Sequence, residues 1–167
     1  MVPIATGDSR TASNRGAAGG APVKPGGRAA CAGMPAEMGA GFWVRLARHD
    51  ARRPEALRRW DVVSSDGECP ADELPAHLAY AAPACVRVAP EAMRALFDAL
   101  RAHRVAELRV VPMAPTPHPS EYELGLHWAG GECSLAVAAG DAELVREDGA
   151  DFRAAVDAVI ATANAAH

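Results

Sequence analysis

Lysine is almost missing from this chain: Lys24 is the only one among 17 basic residues. That arginine bias reads as coding bias rather than as a binding feature. Aromatic residues make up only 5% of the sequence, so a core must be assembled from Leu and Val with a few large side chains. No apolar run approaches the roughly 20 residues that cross a bilayer as a helix, which excludes a helical membrane span. No C-x-x-C spacing joins any of Cys31, Cys69, Cys85 and Cys133, so the strong zinc signature is missing. No Gly-rich turn stands between a strand and a helix as a phosphate loop would, and no Ser has a G-x-S-x-G frame. The clustered positive excess that meets nucleic acid is missing too, since the formal net charge is −4. The expectation is no cofactor, no metal and no nucleic-acid partner.

What is present begins with a Gly/Ala/Pro-rich leader over residues 1–41. It is poor in large apolar groups and shows neither helical nor strand spacing, so it cannot offset the entropy of ordering its backbone. The leader is expected to be disordered. It lacks the continuous apolar stretch of a secretory signal, which makes cytoplasmic the default compartment, with export the alternative. Ala29-Ala30-Cys31 has the small residues found before a lipid-modified cysteine, but not the apolar segment such a signal requires.

Residues 42–60 hold six arginines and read as one or two short helices broken near Pro54. Phe42, Trp43 and Leu46, then Leu57 and Trp60, can each seat one side of a helix. The interleaved Asp50, Glu55 and Asp61 favour a solvated arginine face over a phosphate-binding patch. Phe42 and Trp43 are candidate partner contacts, and an apolar patch left uncovered there would mark a docking element of a larger assembly.

Residues 61–167 read as a single α+β domain. A strand starts at Trp60, and a looser one ends in alternation around Cys85 and Val86. Pro90 opens a helix at the position where its missing N–H costs nothing. Met93, Leu96, Phe97 and Leu100 then recur at i, i+3, i+4 and i+7 on one face. AELRVVPM reads as a strand and APTPHPSE as a proline-locked loop. Tyr122, Leu124, Leu126 and Trp128 alternate with polar residues, a Gly-Gly turn follows, and Cys133, Leu135 and Val137 return on one face. This hairpin is expected at the centre of the sheet, and Leu144-Val145 as an edge strand. Asp148 or Asp151 then caps a last helix carrying Phe152, Val156, Val159 and Ile160. The whole predicts an antiparallel sheet of about four to five strands with two helices packed on one face.

The candidates for chemistry are few. His118, in the proline-locked loop beside Glu121 and Glu123, is the best single candidate for a polar site, and His118 and Glu121 are candidate partner contacts. An enzyme would have to assemble its site from His118, His127 and acidic neighbours. By alternation, however, His127 faces away from the Trp128 side, and no nucleophile sits at a sharp turn beside a histidine. No catalytic, cofactor-binding or metal-binding residue is assigned. A Cys69–Cys85 disulfide closing the intervening loop is the expected pairing if the protein is exported.

VRVAPEAMRALFDALRAHRVAELRVV, then YELGLHWAGGECSLAVAAGD and a closing amphipathic helix, resembles small bacterial α+β proteins typified by emfourin-like inhibitors of thermolysin-type metalloproteases. The resemblance spans about residues 85–163. It departs from the family ahead of that stretch, where WDVVSSDGECPADELPAH replaces a Gly-rich apolar opening strand. It implies a non-catalytic module that binds another protein, and it transfers no contact residue. A subunit that docks through the N-terminal segment and a small hydrolase with a histidine-containing site are the alternatives.

Overall fold

A computed structural model describes residues 26–50, 52–66, 84–114, 120–139 and 141–167. The fold is α+β. Nine strands are described: β1 (Arg28–Ala29), β2 (Trp43–Asp50), β3 (Arg53–Ser64), β4 (Ala84–Arg87), β5 (Arg109–Pro112), β6 (Tyr122–Trp128), β7 (Gly131–Ala136), β8 (Ala138–Ala139) and β9 (Ala142–Leu144). Two helices accompany them, α1 (Pro90–Ala102) and α2 (Gly149–Ala165). A five-stranded sheet has the order β4-β3-β2-β6-β7, and a smaller one the order β1-β5-β9-β8. The larger sheet is mixed rather than wholly antiparallel, because β3 and β4 run parallel.

The core lies between one face of the five-stranded sheet and the two helices. Val44, Leu46, Val63, Leu124, Leu126 and Leu135 project from the sheet to meet Met93, Leu96, Phe97 and Leu100 of α1 and Phe152, Val156 and Val159 of α2. The spacing that predicted α1 therefore buries the four residues it named. Phe42 meets Phe97 edge to face, with ring centroids 5.0 Å apart. The β6–β7 hairpin forms as its alternation implies. Its two-residue turn is Ala129-Gly130, where Gly130 adopts a φ of +92° that a side chain would resist.

Five expectations need correction. Residues 42–60 are not helical. They form β2 and most of β3, the arms of a long antiparallel hairpin. Reading Phe42, Trp43 and Leu46 as a helical stripe overlooked the equally good period-2 set Val44 and Leu46, both fully buried. Pro54, which cannot donate, falls where the ladder steps from Arg53 to Leu57. Strand β2, not the β6–β7 hairpin, is thus the centre of the sheet, and β7 is an edge.

The leader is not disordered as far as residue 41. From residue 26 the chain belongs to the fold: β1 pairs with β5, and Cys31 is fully buried and disulfide-bonded to Cys133, 102 positions away. Composition alone could not reveal that anchor. The strand at Leu144 is flanked by β5 and β8 within the small sheet, so it is not an edge. Finally, Asp148 precedes α2 but does not cap it with its side chain. Its carboxylate instead accepts hydrogen bonds from the backbone N–H, Nε and Nη2 of Arg109 at 2.9, 3.1 and 3.1 Å. No helix among the described residues is long and apolar enough to cross a membrane.

Candidate functional site

The antiparallel register lines up three cross-strand rows on the helix-covered face of β3, β2 and β6. Val63, Val44 and Leu126 form the first, Asp61, Leu46 and Leu124 the second, and Arg59, Arg48 and Tyr122 the third. Directly opposed residues share a face, so this surface changes from apolar to charged within two rows. Asp61 occupies a core position and is 0% exposed. Such a carboxylate is stable only when it is paired. Arg48 donates from Nη2 to Oδ2 at 2.9 Å, and Arg59 donates from Nε to Oδ1 at 2.7 Å.

Beside this pair the surface opens into a recess of about 210 Å³ lined by Arg48, His49, Arg59, Glu121 and Tyr122. The backbone N–H of His49 donates to the Glu121 carbonyl at 2.8 Å and holds the two walls together. Arg153 of α2 lies 5.0 Å over the Tyr122 ring and pairs along its helix with Asp157 at 3.3 Å. Arg48 Nε is buried and finds no acceptor among the described residues.

The opposite face of the sheet holds a different polar arrangement. Arg45 is buried there, with its guanidinium lying against Gly125, where an added Cβ would come within 2.8 Å of Nη2. Its Nη2 is 3.6 Å from Glu123, which also accepts from Ser134 at 3.2 Å. Burial pulls the Arg45 pKa down, and the Glu123 and Glu132 carboxylates oppose that shift. Trp43 stacks on His127 with centroids 4.9 Å apart and planes 14° apart. The Arg109–Asp148 pair shifts both of its groups. Hydrogen bonding to Arg109 holds the Asp148 carboxyl below its ordinary value against the opposing effect of burial, and the same bond raises Arg109. It ties the small sheet to the start of α2.

Of the residues singled out in the sequence, Glu121 lies in the wall of the recess. Phe42 is in the core and Trp43 is buried on the opposite face, so neither is an exposed partner contact, and the uncovered patch expected of a docking element is not made by them. His118 and Cys69 lie outside the described residues. Cys85 is disulfide-bonded, and no cysteine among the described residues is free. His127 stands across the sheet from the recess, stacked on Trp43 and 4.0 Å from Glu132. No group of three potential metal ligands occurs among the described residues.

Arg48 and Arg59, which line the recess, and Asp61, which pairs with both from beneath, were missed. Arg59-x-Asp61 at strand spacing places opposite charges on one face, a signal hidden once the segment is read as helix. Comparison with protein families, with curated proteins and with solved structures finds no match to this chain.

Proposed function

We propose that the chain is a non-catalytic protein-binding module that works in an oxidising compartment. The observation that carries the reading is the recess at the end of the five-stranded sheet. Two guanidiniums there are held in place by a fully buried carboxylate and stand beside a tyrosine ring. Arginine and tyrosine in a fixed concave setting are the residues on which protein interfaces concentrate their binding energy. The described groups with displaced protonation, Arg45, Arg109 and Asp148, are engaged in packing and ion pairing away from this recess.

The cysteines support that compartment, because a disulfide between Cys31 and Cys133 persists where thiols are kept oxidised. The resemblance to emfourin-like inhibitors makes a thermolysin-type metalloprotease the first partner to test. In that experiment the oxidised full-length chain is immobilised and exposed to culture medium and to purified thermolysin-type proteases, with proteolytic activity followed in parallel. One protein retained at near-stoichiometric yield supports the module, and a protease inhibited as it is retained supports the inhibitor. A folded bait that retains nothing overturns the reading.

A further inference from the structure

We infer that the recess lined by Arg48, His49, Arg59, Glu121 and Tyr122 is a carboxylate site that takes one acidic side chain of a polypeptide partner. The inference rests on the binding-module reading and names the chemistry that the module recognises.

The charges come first. Asp61 lies beneath the two arginines with no exposure of its own, and it engages a single nitrogen of each, Nη2 of Arg48 and Nε of Arg59. A guanidinium carries five N–H donors. The Nη1/Nη2 edge of Arg59 therefore stays out of the Asp61 contact, and that side chain is 42% exposed. A carboxylate is the planar two-oxygen partner that such an edge meets with two parallel hydrogen bonds. Arg48, whose side chain is 21% exposed, adds a second positive charge to the lining.

Size and net charge narrow the class. A recess of about 210 Å³ falls below the ~300–1,000 Å³ of ordinary small-molecule pockets, so it suits one side chain rather than a cofactor. Two arginines face two carboxylates, Asp61 beneath and Glu121 on the exposed wall, and Arg153 over Tyr122 is paired with Asp157, which leaves the site nearly neutral. A singly charged carboxylate placed by geometry fits such a site. A phosphate dianion needs a positive excess that this lining lacks.

The test is a titration of the oxidised full-length protein with N-acetyl-glutamate N-methylamide, following the Arg48 and Arg59 Nε–H and Tyr122 ring resonances by NMR. The matched glutamine compound and inorganic phosphate are run alongside. Saturable shifts confined to these residues are expected for the glutamate compound, with a dissociation constant on the order of 1 mM, and none for the glutamine compound. Arg59→Gln weakens binding at least ~10-fold, whereas Glu121→Gln, on an exposed wall that cannot upset the fold, tightens it by about threefold as a repelling charge is lost. Equal shifts with glutamate and glutamine, no saturable shift, or tighter binding of phosphate would each overturn the inference. Because the probe needs no partner, a module that retains a protein but ignores the probe disproves only the carboxylate site, and failure of retention tests the module separately.

Discussion

The two ends of the helix-covered face are built from the same three strands in the same register, yet they are finished in opposite ways. At one end Val44, Val63 and Leu126 lie under the helices, the Phe42–Phe97 pair meets edge to face, and the Cys31–Cys133 disulfide ties residues 26–34 onto the hairpin. At the other, two rows away, a buried carboxylate carries two arginines and the surface opens into a recess. The sealed end follows from burial, since apolar area removed from water contributes about 25 cal/mol per Å². The open end does not. A buried ion pair replaced by apolar residues of similar volume often leaves a protein equally or more stable, so stability alone gives no reason to place Asp61 where Leu or Val would fit. The difference fits the recognition role proposed for the open end, with the sealed end as the scaffold that holds it.

Breaking the sealed end produces the largest effect. Replacing Cys31 and Cys133 together with serine removes a link across 102 positions, and loops of that length are worth about 4.7 kcal/mol in the chain-entropy account. Urea unfolding is expected to show a loss of about that size. Next comes the open end: Asp61→Ala leaves two guanidiniums facing each other over an unoccupied anion position, and a loss of about 3 kcal/mol is expected from the same measurement. The two losses are expected to add, because the sites share no partner.

A smaller effect separates a packed arginine from a presented one. Arg45 lies on the far side of β2, pressed on Gly125. Gly125→Ala is therefore expected to cost about 1 kcal/mol through overpacking, although a glycine inside a strand is ordinarily a weakness whose replacement helps. A gain in thermal midpoint would mean that Arg45 moves aside freely. The mildest effect lies at the Arg109–Asp148 pair. Since the folded state holds Asp148 below its ordinary value of 3.8, its contribution is fully present above that value and is lost as pH falls toward the lowered one. Unfolding followed between about pH 5 and pH 2 should show wild type losing stability more steeply than Asp148→Asn.

Much of the scaffold was legible. The Met93, Leu96, Phe97, Leu100 spacing and the alternation from Tyr122 to Trp128 are strong periodic signals, and both elements form where those signals lie. The centre of the sheet was not, because Arg48 and the core aspartate at 61 put charge on the apolar face and cut short the alternation by which a buried strand is recognised. The leader's anchoring was hidden for another reason. Four cysteines allow three pairings, and nothing in the composition of residues 26–41 indicates that Cys31 reaches Cys133. Of the candidate site, Glu121 was named from sequence alone. Its neighbours depend on cross-strand pairing, which brings residues 48, 59 and 122 side by side and becomes readable only once the register is known.

The most direct test of the central claim is the equilibrium unfolding of Arg48→Met/Arg59→Met/Asp61→Leu in urea at neutral pH, beside wild type. If the cluster serves recognition, the apolar triple variant will match wild type to within about 1 kcal/mol or exceed it. A loss of about 3 kcal/mol or more, as large as that expected for Asp61→Ala alone, would contradict the account and make the charged end a structural element of the fold.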